Sequence, residues 1–187
     1  MQHYFVEHQK GVSLIEALVA LLILALGIMG LAGIQTQTLV DSRSSNYRAV
    51  AVQAAEDLLE RMQANSQVRI TNPAPNPYVV AFGSTPANPN CFANDCNGIQ
   101  LANFDLWQWK TALGALLPGG DARVFRSTTD PSQFGVLVAW NETLSKNQAT
   151  ASAGDLALYT QTLAISSGVA GADCPADRTC HLFYIRP

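Results

Sequence analysis

Charge is scarce in this chain and nearly missing from its longest apolar run. Only 13% of the 187 residues are Asp, Glu, Lys or Arg, and between Val12 and Val40 the single one is Glu16. The eleven Lys and Arg residues are scattered and the net charge is −3, so the chain has no basic field with which to grip a phosphate backbone. Nucleic acid is therefore not an evident partner. Histidine is scarcer still, with His3 and His8 before the apolar run and only His181 beyond it. No H-E-x-x-H pair, nucleophile elbow, P-loop or dinucleotide glycine pattern is present. Without a base and a nucleophile to nominate, the sequence reads as that of a protein that is not an enzyme, and it implies no cofactor.

What the chain does have is apolar surface, concentrated at one end. Hydrophobic residues make up 48% of the sequence, and the excess lies in the stretch "VSLIEALVALLILALGIMGLAG" and its continuation to Val40. A secretory signal peptide carries an apolar core of about 7 to 15 residues and a small-residue cleavage site behind it. Here the run is about twice that length and leads directly into more helical pattern, which favours retention. At roughly 1.5 Å per residue, Val12 to Val40 would span about 43 Å, enough to cross a bilayer and emerge. One membrane helix followed by one exported domain is the economical reading.

The Lys and Arg count does not orient the span, since Lys10 precedes it while Arg43 and Arg48 follow. The cysteines do so better. Cys91 with Cys96 and Cys174 with Cys180 form two close pairs in loops rich in Asn, Pro, Ala and Asp, as suits an oxidising compartment. A zinc site drawn from these four and His181 would need C-x4-C and C-x5-C spacings, which are loose, so disulfides are expected and no metal. Four cysteines allow three connectivities. The two near-neighbour pairs are preferred because each closes a short, turn-rich loop.

Glu16 is the informative residue of the apolar run. A carboxylate near the centre of a lone membrane helix costs about 2.5–3.5 kcal/mol on insertion scales, and less near an interface. It either snorkels to the cytoplasmic headgroups or marks a site that finds a partner. The run "KGVSLIEALVALLILALGIMGLAGIQ" resembles the class III signal of type IV pilins and pseudopilins: a short polar leader ending in Gly, a hydrophobic segment, and Glu at the fifth mature position. That resemblance implies cleavage between Gly11 and Val12 by prepilin peptidase, N-methylation of Val12, and pairing of Glu16 with the terminal amine of a neighbouring subunit. Opposite charges in a low-dielectric setting attract strongly, so the acid would serve as a register device. Val12 departs from the Phe usual in the family. The implied divisions are a cleaved leader at 1–11, a transmembrane half-helix at 12–40, and a periplasmic or extracellular domain at 41–187.

Beyond the membrane segment, Tyr47, Val50, Ala54, Leu58 and Met62 recur three or four residues apart, and Asp57 and Arg61 stand at a favourable i, i+4 spacing. One helix is expected from about Val12 to about Ala64. Gly27, Gly30 and Gly33 lie within its first half, read either as ordinary membrane-helix glycine or as a soft segment for close packing. Prolines at 73, 75, 77, 86 and 89 predict an extended surface loop from Gln67 to Asn90. Leu106, Trp109, Leu113 and Leu116 predict a short amphipathic helix, with Asn103 or Asp105 as N-cap and Pro118-Gly119-Gly120 as stop. Trp109 and Trp140 read as core and Trp107 as a candidate contact residue, while the sequon Asn141-Glu142-Thr143 is weak evidence for glycosylation in a bacterial setting.

Four strand-like runs follow, Ala122 to Ser127, Phe134 to Trp140, Leu156 to Ile165 and Cys180 to Arg186, separated by turn formers. The expected fold is α+β: a long N-terminal helix against a four-stranded antiparallel sheet, the type IV pilin fold. The segment "DLWQWKTALGALLPGGDARV", placed between "AAEDLLERMQAN" and "VLVAW", resembles the PilV-like minor pilins, the type IV pilus modification proteins. The resemblance implies a subunit held in the inner membrane, its C-terminal domain periplasmic, until it passes into an extracellular pilus. Its partners would be other minor pilins, the major pilin, the inner-membrane assembly platform and prepilin peptidase. A minor pseudopilin of a type II secretion system and a tip-located adhesin are the alternatives.

Overall fold

The computed structural model of the protein describes residues 13–142, 173–175 and 178–187. The chain falls into two units, Met1–Asp41 and Ser42–Pro187. Its elements are α1 (Leu14–Ala64), α2 (Ser66–Thr71), α3 (Gly98–Leu116), β1 (Asp121–Arg126), β2 (Phe134–Trp140) and β3 (Thr179–Ile185). The strands form one antiparallel sheet in the order β1-β2-β3. Three strands are therefore shown, and the run expected at Leu156 to Ile165 lies outside the described residues.

In the first unit, every side chain of α1 from Leu14 to Gln35 is exposed. The second unit has an ordinary core. Ala51, Ala55, Leu58 and Met62 of α1 are buried with Trp109 and Leu113 of α3 and with Val124, Val136, Val138 and Trp140 of the sheet. The expected stripe is thus displaced at its first positions: Tyr47, Val50 and Ala54 are only partly buried, and the deeper track runs through Ala51 and Ala55. Two alanines let the helix approach the sheet more closely than bulky residues would, a feature that a count of large apolar side chains overlooks.

Strand β2 is buried along its whole length. Because side chains alternate between faces, Phe134, Val136, Val138 and Trp140 join the helix-side core, whereas Leu137 and Ala139 meet Phe125, Leu182, Phe82 and the Cys174–Cys180 pair on the other face. Gly135 is required by this arrangement. The Phe125 ring crosses it from β1, and a Cβ there would lie 2.2 Å from the ring.

Two sequence expectations need correction. The stretch from Gln67 to Asn90 is not simply an extended surface loop, for α2 occupies its start and Tyr78 and Val80 are buried. The prolines begin only at Pro73, after α2 has ended, and Val80 exchanges two backbone hydrogen bonds with Val124 (3.0 and 2.9 Å). The second correction concerns α3, which starts at Gly98 rather than near Asn103. Its N-cap is Asn97, whose side chain accepts from the Gln100 N–H while the Gln100 side chain accepts from the Asn97 N–H, a reciprocal capping box. Leu106, Trp109 and Leu113 are buried as the spacing implied, but Leu116 is exposed and Leu117 takes the core position.

Candidate functional site

The chemistry of this chain is that of surfaces and locks. The first candidate is the start of α1. Ser13 precedes the helix, and its Oγ and carbonyl oxygen both accept from the Glu16 N–H (3.3 and 3.0 Å). A hydroxyl at this position satisfies a donor that the first helical turn leaves open, and the Glu16 carboxylate sits where the helix dipole favours negative charge. Gly11 and Val12, the expected cleavage and methylation positions, lie outside the described residues.

Around this acid the helix is apolar and uncovered. Leu14 is 80% exposed, and none of the most apolar window of α1 is buried. Among the described residues this is the one helix long and apolar enough to cross a membrane. A Cβ added at Gly27, Gly30 or Gly33 would meet nothing within 4 Å. No packing among the described residues accounts for glycine at these positions, although each lowers helix stability by about 1 kcal/mol relative to alanine.

The second unit holds itself together through two polar clusters, one buried and one half-buried. In the first, Asn65 closes α1 and caps α2: its Oδ1 accepts from the Val68 N–H (3.3 Å) while its Nδ2 donates to the Gly98 carbonyl (2.7 Å) and to the Tyr78 hydroxyl (3.2 Å). Tyr78 in turn donates to Asp105 of α3 at 2.7 Å. Arg61 binds Asp57 at 3.0 Å and Gln108 at 3.0 Å, and approaches Asp105 at 3.7 Å. Burial pushes the Tyr78 phenol well above its ordinary range, and its bond to Asp105 adds to the rise. Burial also raises Asp105, against the opposing influence of Tyr78 and Arg61. The Tyr78 proton is thus held firmly in place as the donor of this cluster.

The second cluster ties a loop to the sheet. Lys110 Nζ lies 2.8 Å from Asp121 Oδ1 and donates to the carbonyls of Ala81 (2.9 Å) and Ser84 (2.8 Å). Asp121 also accepts from the N–H groups of Gly83 and Ala122, both at 2.7 Å. Burial alone would raise this carboxyl, but the bonds from Lys110, Gly83 and Ala122 outweigh it and leave Asp121 below the usual carboxylate range. Gly83 has φ +69°, a left-handed conformation that costs a residue with a side chain about 1–2 kcal/mol.

The cysteines are paired as Cys91–Cys96 and Cys174–Cys180, so they offer no thiolate to a metal. The first bridge closes the loop that carries Phe92, which is 83% exposed and rests edge-on against Phe104 (5.1 Å), itself stacked on Trp107 (5.9 Å). Trp109 and Trp140 are core residues, their ring N–H groups donating to the Ala54 carbonyl (2.8 Å) and to Glu142 (3.1 Å). His181 stands on the helix side of β3 between Trp140 and Phe183. Burial lowers its pKa, and the nearby charge of Arg48 adds to this against a smaller opposing effect of Glu142. Thr143, the third residue of the sequon, lies outside the described residues.

Sequence reasoning did not find Asn65, Tyr78, Asp105, Lys110 or Asp121 as a set. Nothing in their spacing connects them, since Tyr78 and Asp105 stand 27 positions apart and meet only through the fold. Compared with known proteins, residues 8–32 match the prokaryotic N-terminal methylation motif. No curated protein and no solved structure matches this chain. The motif is a type IV prepilin-like signal that supports a type IV pilin-like protein, of a pilus or a pseudopilus, and implies assembly with other pilins and processing by prepilin peptidase. With the apolar helix it fits membrane anchoring followed by incorporation into a filament.

Proposed function

We propose that this protein is a minor pilin of the PilV-like kind, a non-enzymatic subunit that takes part in assembling a type IV pilus or in its adhesion and motility. Prepilin peptidase cleaves it between Gly11 and Val12 and the new terminus at Val12 is methylated. The 12–40 segment anchors it in the inner membrane, with residues 41–187 in the periplasm, until the assembly platform moves it into the filament. There Glu16 meets the terminal amine of a neighbouring major or minor pilin. The observation that carries this reading is a methylation motif over residues 8–32 leading into a helix whose most apolar window is exposed among the described residues. The Trp-rich α3 and the two disulfide loops favour a minor pilin over a pseudopilin of a type II secretion system.

Intact mass and N-terminal sequencing of the protein from sheared filaments test the proposal. A chain that begins at methylated Val12 is expected; one that begins at Met1, or beyond residue 35, rules it out. Phe92, exposed on a disulfide-closed loop and backed by two further aromatic rings, favours a second reading as a tip adhesin. Replacing Phe92 with Ser should then reduce surface attachment without changing piliation, and unchanged attachment would dismiss that role.

A further inference from the structure

The second unit contains a cavity of about 160 Å³ walled by Met62, Val68, Tyr78 and Phe134 on its apolar side and by Arg69, Arg126, Asn72, Asn76 and Ser132 on its polar side, with Pro187 completing the wall. In a chain whose net charge is −3, no Asp or Glu among the described residues lines this cavity, and two arginines do. The nearest acid along the chain, Asp130, is already committed, accepting from Ser132 and from Arg186 at 2.6 Å each.

Arg126 is held rather than free to swing. It bonds the Asn72 side-chain oxygen and lies over the Phe134 ring, 5.4 Å from its centroid, yet its Nε is buried and has no hydrogen-bond partner. Arg69, on α2, is exposed and brings the second positive charge. The Tyr78 hydroxyl does not compete for the role, because its proton is given to Asp105.

We propose that this cavity is a binding site for a carboxylate carried on a short aliphatic stem, the acid set against Arg126 and Arg69 and the stem against Met62, Val68 and Phe134. Planar guanidinium groups match a carboxylate fork, and the apolar floor of Met62, Val68 and Phe134 suits an aliphatic stem that inorganic phosphate lacks. The volume is well below the roughly 300–1,000 Å³ typical of small-molecule sites, which limits the occupant to a group the size of one side chain. Such a group comes either as a free short-chain acid or as the carboxyl-terminal residue of a partner polypeptide.

The full chain in detergent micelles, labelled with 13C at its methionine methyls, carries its own probe and control. Met62 lines the cavity, whereas Met29 lies on the exposed part of α1. Butyrate, a short peptide ending in leucine with a free carboxylate, the same peptide as its amide, butanol and inorganic phosphate are titrated in turn. Expected is a saturable shift of the Met62 methyl with butyrate or the free-acid peptide and none of Met29. Tighter binding of the peptide than of butyrate identifies a polypeptide terminus as the source, and the reverse identifies a free acid. Arg69→Gln, at an exposed position, and Arg126→Lys, which keeps the charge but loses the fork, should each weaken binding about tenfold. Equal response to the amide, to butanol or to phosphate, no saturable shift at all, or full affinity in both variants overturns the proposal.

Discussion

A single atom decides what β2 tolerates at Gly135. The Phe125 ring is 2% exposed and packed across the glycine, so Gly135→Ala cannot be relieved by a simple swing of the ring. Overpacking of this kind costs about 1–3 kcal/mol, and urea unfolding should find the variant less stable by that amount. Tyr78→Phe tests the polar cluster in the opposite sense, by removing a donor and leaving the volume almost unchanged. It strips Asp105 of its 2.7 Å bond in a buried setting and should destabilise by about 1–3 kcal/mol; a neutral outcome would mean that water replaces the hydroxyl. Neither effect is visible in the sequence, where Gly135 is one glycine in "FGVLVAW" and Tyr78 sits in a proline-rich stretch. The Asn97 cap is different: an Asn three residues before Gln100 is a local signal, but Asn103 and Asp105 are equally good capping residues and stand nearer the apolar spacing that begins at Leu106.

Between elements, charge sets the pH response. His181 on β3 is held below its ordinary pKa by burial and by Arg48 of α1. The unfolded chain takes up a proton near pH 6.5 while the folded chain resists it, so stability is full above that value and declines as the pH falls towards the lower folded value. His181→Gln should flatten this part of the profile, measured as the urea midpoint between about pH 7.5 and pH 5.5. Asp121 acts in a separate, more acidic window. Its depressed pKa gives stability that is present above about pH 3.9 and lost as the pH falls through the folded value. Lys110→Met should remove much of that acid loss and release Ala81, Gly83 and Ser84 to faster amide exchange. The long helix α1, the body of α3 and the three strands were legible because apolar periodicity and turn residues are local, whereas α2 was not; β1 and β3 are each displaced by one residue from expectation and β2 matches it. The buried course of residues 76–80 was not legible, because proline content describes a backbone and says nothing of what Tyr78 and Val80 reach.

For the molecule as a whole, the question is what covers α1 between Leu14 and Gln35. Glu16→Ala separates anchoring from incorporation. Removing a carboxylate makes insertion easier, by up to about 2.5–3.5 kcal/mol at a bilayer centre, so any loss of the protein from filaments cannot be assigned to failed anchoring. Normal membrane levels with reduced incorporation are expected by fractionation and immunoblotting of sheared pili; full incorporation would remove the role given to this acid. The apolar run, its lone acid and the oxidised cysteine loops were legible from the start, since each is a matter of residue type in a short window. One further feature bears on the same helix-driven contact. The open side of a sheet is the other route by which chains of this kind can join, adding strand to strand without limit. Val80 spends both of its backbone groups on Val124, the middle of β1, and so interrupts the row of donors and acceptors that an incoming strand would need. In the filament proposed above, growth through α1 would be ordered, and among the described residues that two-bond clip is a bar against disordered stacking through β1.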